Sequence, residues 1–161
     1  MKIGIISDTH ENMPKIRKAV GLFNREKVDV VLHAGDIISP ITAKEFSALK
    51  GRFIGVFGNN DGDKLFLNKK FRGIGKIHEK KFEGTLGGKK VLLIHEPDML
   101  PALAESGHYD IIVYGHTHRT DISRVGKTLV INPGEAAGWI TGKCTVALLD
   151  TKTMKVRLVK L

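Results

Sequence analysis

Short apolar runs recur along the chain, each closed by glycine or polar residues. Lys2–Ile6, Val28–Leu32, Phe53–Phe57, Val91–Ile94 and Ile111–Tyr114 are too short for packed helices and read as buried strands. Between them lie stretches with helical spacing. The first runs from about Pro14 to Arg25, with Asn12 placed to cap it and a proline where its missing N–H costs nothing. Two more are expected at Pro40–Leu49 and Met99–Ser106. Residues 64–90 read as a short helical turn and a basic hairpin closing at Gly87-Gly88. Thr128–Ile131, Cys144–Leu149 and Lys155–Val159 make the C-terminal part rich in strands. The early strand–helix alternation predicts parallel pairing, and the late strands with their glycine turns predict a second, mixed sheet.

Composition narrows this α/β reading. The 161 residues fit one core, with no linker or repeat to divide 1–161 into parts, and 42% hydrophobic content excludes a disordered chain. No apolar run approaches the roughly 18 residues needed to span a bilayer. The lone Cys144 cannot form an internal disulfide. The formal charge is +9, and residues 64–90 hold nine basic against two acidic groups. Phe66, Phe71 and Phe82 are the aromatics there, and strand-directed phenylalanines usually serve a core, so this stretch reads as a solvated face rather than a stacking platform for nucleic acid. Glutamine is absent and lysine abundant, a usage that resembles heat-adapted proteins.

Chemistry collects at the strand ends. Ser7-Asp8-Thr9-His10, Gly35-Asp36, Gly58-Asn59-Asn60-Asp61, His95-Glu96 and Gly115-His116-Thr117-His118 each follow an apolar run. Carboxyl ends of parallel strands share one sheet edge, so these loops converge. Asp8, His10, Asp36, Asn59, His95, His116 and His118 then form a candidate metal site, in which extended backbone would point the i, i+2 pairs Asp8/His10 and His116/His118 the same way. Seven donors exceed one tetrahedral site but suffice for two ions bridged by Asp36. Glycines 35, 58 and 115 fit sharp turns at these ends. His33, His78 and His108 read as structural or surface residues, with packing beside the site as the lesser alternative for His33. Asp61-Gly62-Asp63 lacks the rest of a calcium loop, and Pro97 excludes a zincin helix at His95-Glu96.

Taken in order, DTH (8–10), GD (35–36), GNND (58–61), His95 and GHTH (115–118) resemble the blocks of the calcineurin-like metallophosphoesterase superfamily. Asn132-Pro133-Gly134 and the short length resemble its small single-domain bacterial and archaeal phosphodiesterase branch. The resemblance implies an αββα four-layer sandwich: two mixed β-sheets flanked by helices. It assigns Asp8, His10, Asp36 and His118 to one ion and Asp36, Asn59, His95 and His116 to the other. The implied activity is hydrolysis of phosphodiester bonds by a hydroxide bridging two divalent ions, Mn2+ or Ni2+ first, with Co2+, Zn2+ and Fe2+ as alternatives. Many members carry histidine after GN; here Asn60 replaces it as the phosphate contact, and Asp61 keeps an orienting acidic position.

Two other readings remain: a non-catalytic protein-interaction scaffold like the retromer subunit of this fold, and a nuclease suggested by +9. Intact ligand positions disfavour the first and the short length the second. The expected substrate is a small phosphodiester, with no membrane partner and nucleic acid not favoured. A cleaved signal peptide would remove the candidate ligands at positions 8 and 10, so a cytoplasmic location is expected. The composition predicts a thermal midpoint above the roughly 45–65 °C of mesophile domains; a calorimetric midpoint near ~50 °C would contradict it.

Overall fold

A computed structural model describes residues 1–161. The first sheet is built on four parallel strands, β1 (Lys2–Ile6), β2 (Val30–His33), β3 (Arg52–Val56) and β4 (Gly75–His78). Helices α1 (Met13–Arg25), α2 (Ala43–Phe46, preceded by a 3₁₀ turn at Pro40–Thr42) and α3 (Lys64–Phe71) connect them. The second sheet holds β5 (Lys81–Leu86), β6 (Lys89–Ile94), β7 (Ile111–Val113), β8 (Thr120–Val125) and β9 (Thr128–Pro133), with α4 (Leu100–Glu105) between β6 and β7. There β6, β7 and β9 run parallel, flanked by antiparallel β5 and β8.

Asn12 Oδ1 accepts from Lys15 N–H at 3.3 Å, and proline occupies the first turn of α1, as its sequence requires. Three expectations change. The hairpin seen in 64–90 is the β5–β6 turn, but Gly75–His78 leaves it and extends the first sheet beside β3. The last strands, β10 (Thr145–Asp150) and β11 (Lys155–Lys160), join the first sheet rather than the second, because β10 pairs antiparallel with β1. Finally, β8 was invisible as a strand because its TDISRV stretch is mostly exposed and takes its ladder from β9.

The strand period of two fills the layers. Ile3 and Ile5, Val30 and Leu32, and Ile54 and Val56 meet Val91 and Leu93, Ile111 and Val113, and Leu129 and Ile131 between the sheets. Ile6, Val31 and Phe53 point the other way, onto Ile16, Val20 and Phe23 of α1, Phe46 of α2 and Phe71 of α3. Leu92, Ile112 and Val130 cover the outer face of the second sheet, with Ala104 of α4. The layers are helix, sheet, sheet, helix. The carboxyl ends of β1, β2, β3, β6, β7 and β9 therefore emerge along one edge of the stack.

Candidate metal centre

That edge gathers the expected side chains. Asp8, His10, Asp36 and His118 offer ligand atoms all within 4.8 Å of one another. Beside them, Asn59 Oδ1 lies 2.8 Å from His95 Nε2 and 3.0 Å from His116 Nδ1, and Asp36 Oδ1 lies 3.6 Å from His95 Nε2. Asp36 belongs to both groups, since its Oδ2 is 3.5 Å from His10 Nε2.

Backbone bonds stitch the loops together. Asp8 N–H donates to Gly35 C=O at 3.0 Å, and the N–H groups of Thr9 and His10 both donate to Asp36 C=O at 3.1 Å. The loop after β9 reaches across the sheets: Ala136 N–H donates to Ser7 C=O at 2.9 Å and Ala137 N–H to Asp8 C=O at 3.1 Å. Asp61 accepts from three backbone N–H groups, those of Asp36 (3.1 Å), Ile38 (2.6 Å) and Gly58 (2.7 Å), and so pins the β2 and β3 loops to each other. Asn60 turns back onto Asp36, donating from its N–H to Oδ1 at 2.9 Å and from Nδ2 to Oδ2 at 2.8 Å.

The i, i+2 pairs converge by a route other than extended backbone. Asp8, His10, Asp36, His116 and His118 all have positive φ, between 37° and 67°. Each pair is thus aimed by left-handed turns, which Asp, Asn and His tolerate best among residues with a Cβ. Packing leaves the glycines no latitude. A Cβ on Gly35, whose φ is +95°, would sit 2.5 Å from His95 Nδ1, and one on Gly58 would overlap Asp36 Oδ1.

The protonation pattern follows from the partners. His95 Nδ1 faces Ala34 C=O at 2.7 Å, so it must donate, and its Nε2 lone pair points at Asn59 Oδ1. His118 Nδ1 likewise donates to the Glu135 carboxylate at 3.2 Å, leaving its Nε2 lone pair 3.5 Å from Asp8 Oδ1. Lone pairs thus face lone pairs. Asp8 Oδ1, Asp8 Oδ2 and His10 Nε2 are buried without any hydrogen-bond partner. Burial pushes the Asp8 carboxyl above the ordinary carboxylate range, outweighing the pull of the nearby imidazoles of His95 and His118. Such a set is costly on its own and becomes favourable around a cation. Imidazole, carboxylate and amide oxygen together suit first-row divalent ions.

Two residues gain roles that the strand-end motifs did not reveal. Glu135, fully buried, accepts from His118 Nδ1, from the N–H groups of Ile140 (3.1 Å) and Thr141, and from Thr141 Oγ1 at 2.7 Å. Burial alone would raise its pKa, but these bonds together hold it below the usual carboxylate range. It sits just past β9, so the rule that flagged the other strand ends applies to it as well. His33 is also fully buried; its Nδ1 accepts from Gly35 N–H at 3.2 Å, so Nε2 carries the proton and donates to Thr9 Oγ1 at 3.1 Å. That hydroxyl passes the bond on to Asp36 C=O at 3.3 Å. Burial pushes the His33 pKa down to about 3, so it is a neutral strut under the Asp36 loop. His78 and His108 lie away from the centre, against Phe82 and Tyr109.

Known proteins resemble this chain in sequence and in fold. A phosphodiesterase of Methanocaldococcus jannaschii is 40% identical over 98% of this chain and 97% of its own length. The solved structure of an archaeal phosphodiesterase superposes with a TM-score of 0.95 at 39% identity, each chain covered completely. A phosphoesterase of Escherichia coli superposes with a TM-score of 0.72 at 23% identity, over 99% of this chain and 98% of that one, a likeness of fold. Residues 1–154 match the calcineurin-like phosphoesterase superfamily domain, and the chain belongs to that family.

Proposed function

We propose that the protein is a metal-dependent phosphodiesterase acting on small phosphodiesters. The observation that carries this reading is the convergence of Asp8, His10, Asp36 and His118 at the edge where both sheets end, with both Asp8 carboxylate oxygens and His10 Nε2 buried without a hydrogen-bond partner. The phosphodiesterase name of the Methanocaldococcus relative supports it. Asp8, His10, Asp36 and His118 would hold one divalent ion, and Asp36, Asn59, His95 and His116 a second, with Mn2+ or Ni2+ as the first candidates. Bound ions would supply Lewis acidity toward the phosphoryl oxygens and toward an attacking water.

The chain's own residues set the conditions for that chemistry. Asp8 and Asp36 return two negative charges against the four positive charges of two divalent ions, so the centre keeps a net attraction for phosphate. Ala34 C=O and Glu135 hold the Nδ1 protons of His95 and His118, which keeps each Nε2 free to ligate. Asp61 fixes the β2 and β3 loops through backbone N–H groups and orients rather than reacts. Asn60 donates from its N–H and Nδ2 to Asp36, which leaves one amide hydrogen for a phosphate oxygen and no titratable proton to give a leaving group. Substrates whose leaving groups depart unaided are therefore favoured. The enzyme would work in the cytoplasm of a heat-adapted cell.

Hydrolysis of bis(p-nitrophenyl) phosphate with Mn2+ and Ni2+, lost on chelation, tests the reading directly. Asp36→Ala should abolish turnover and metal loading together, and full activity at saturating Mn2+ would overturn the ligand assignment. Glu135→Gln should weaken Mn2+ binding about 10–100-fold by calorimetry with an unchanged circular dichroism spectrum; wild-type affinity would remove Glu135 from the positioning of His118. Asn60→His should speed hydrolysis of alkyl diesters by at least about tenfold while changing aryl diesters far less, and an equal effect on both would contradict the missing-acid argument.

A further inference from the structure

Two clefts flank the centre, and they differ in charge. One, of about 360 Å3, opens beside Asn59 and His95. Lys64 and Lys80 reach it from the basic segment, but Glu79, Glu96 and Asp98 line it too, so carboxylates outnumber ammonium groups. Lys64 is already drawn to Glu79, at 3.6 Å.

The other cavity, of about 280 Å3, opens on the opposite ligand, His118, and is lined by Arg119, Thr120, Thr141, Lys143 and Thr145. No acidic side chain lines it. Neither Arg119 nor Lys143 enters an ion pair anywhere in the molecule. The carboxylate behind it, Glu135, is fully buried and occupied by His118, Ile140 and Thr141. Thr141 Oγ1 donates to Glu135 and Thr145 Oγ1 to Pro133 C=O, which fixes the cavity wall. Arg119, Lys143 and Thr120 are thus left lining one small space beside His118.

We infer that this cavity is a phosphoryl subsite: it holds a second phosphoryl group, carried on one substituent of the phosphodiester whose scissile phosphorus lies at the metal centre. The inference rests on the phosphodiesterase reading and narrows its substrate class. Arg pairs with two phosphoryl oxygens at once and Lys adds a point charge, the combination that recurs in phosphate recognition. The chemistry fits a small molecule rather than a nucleic-acid strand. A strand continuing across the centre would meet the carboxylate-rich cleft on the far side.

The test has two arms. In the metal-free protein, titration with inorganic phosphate should shift the amide resonances of Arg119, Thr120, Thr141, Lys143 and Thr145. The double variant Arg119→Ala/Lys143→Ala should raise the dissociation constant at least about tenfold. In the metal-loaded enzyme, kcat/KM is compared for the p-nitrophenyl ester of thymidine 5′-phosphate with and without an added 3′-phosphate. The phosphorylated ester should be preferred by about tenfold or more, and the double variant, or Lys143→Glu alone, should erase that preference. Equal kcat/KM for the two esters in the wild type, or resonance shifts confined to Lys64 and Lys80, would overturn the subsite. Tighter binding of a single-stranded oligonucleotide than of the 3′-phosphorylated ester would overturn the small-molecule assignment. If neither ester is hydrolysed while phosphate still binds at Arg119 and Lys143, the phosphodiesterase reading fails and the anion cavity stands.

Discussion

Lone pairs that repel one another must be held within a few ångströms, and the rest of the edge is organised around that requirement. Donors that would have satisfied Asp8 and His10 are spent elsewhere: the backbone N–H groups of residues 8–10 go to the carbonyls of Gly35 and Asp36. The imidazole N–H groups of His95 and His118 go to Ala34 C=O and Glu135. What remains around Asp8 and His10 is acceptor density without a proton. Folding bears that cost when the cation is absent, because Asp8 is buried with both carboxylate oxygens unpartnered, and any cation bound there returns it as stability. Affinity for metal and resistance to unfolding are therefore two measures of one interaction.

The centre exists only because two sheets are stacked with their parallel strands in step. Asp8, His10, Asp36 and Asn59 come from the first sheet, and His95, His116, His118 and Glu135 from the second. The apolar layer between them, with Ile5 and Leu32 on one side and Leu93, Val113 and Ile131 on the other, sets the spacing of the two halves. Close packing transmits small shifts rather than absorbing them. The bonds from Ala136 and Ala137 to the carbonyls of Ser7 and Asp8, and from His95 to Ala34, then lock the halves at the top. Left-handed backbone at five ligands adds strain on the order of 1–3 kcal/mol for an unfavourable residue. Asp and His lower that cost, so ligand chemistry and backbone tolerance select the same residue types.

Much of this was legible in the chain because strand ends are local features. Apolar runs closed by SDTH, GD, GNND and GHTH locate the candidate ligands without knowledge of the sheets. Sheet membership is not local. Nothing within Thr145–Asp150 says that it will pair with β1, since that pairing is decided by which edge the chain reaches last. Gly75–His78 escaped notice because only Ile77 in it is buried, and Thr120–Val125 because an exposed edge strand carries little apolar signal. The left-handed turns at the ligands were hidden for another reason. Spacing of i, i+2 fits extended backbone equally well, and only the tertiary bonds to Gly35 and Asp36 choose between the two. Glu135 was within reach of the strand-end rule, but the turn at Asn132-Pro133-Gly134 separates it from the apolar run by enough to look like a loop residue.

The net charge of +9 shows how little sequence density says about a field at a site. Residues 64–90 carry nine basic groups, yet only Lys64 and Lys80 of these line the cleft beside Asn59 and His95, where carboxylates meet them. The remainder lie on α3 and just after it, on β4 and on the β5–β6 hairpin without lining that cleft, and charges beyond the Debye length of about 8 Å are largely screened at physiological ionic strength. Arg119 and Lys143 lie outside that dense stretch, but no carboxylate lines their cavity and they flank a ligand directly. Two unopposed charges at contact distance outweigh several screened ones, so the local balance around His118, rather than the excess along the chain, governs where an anion settles.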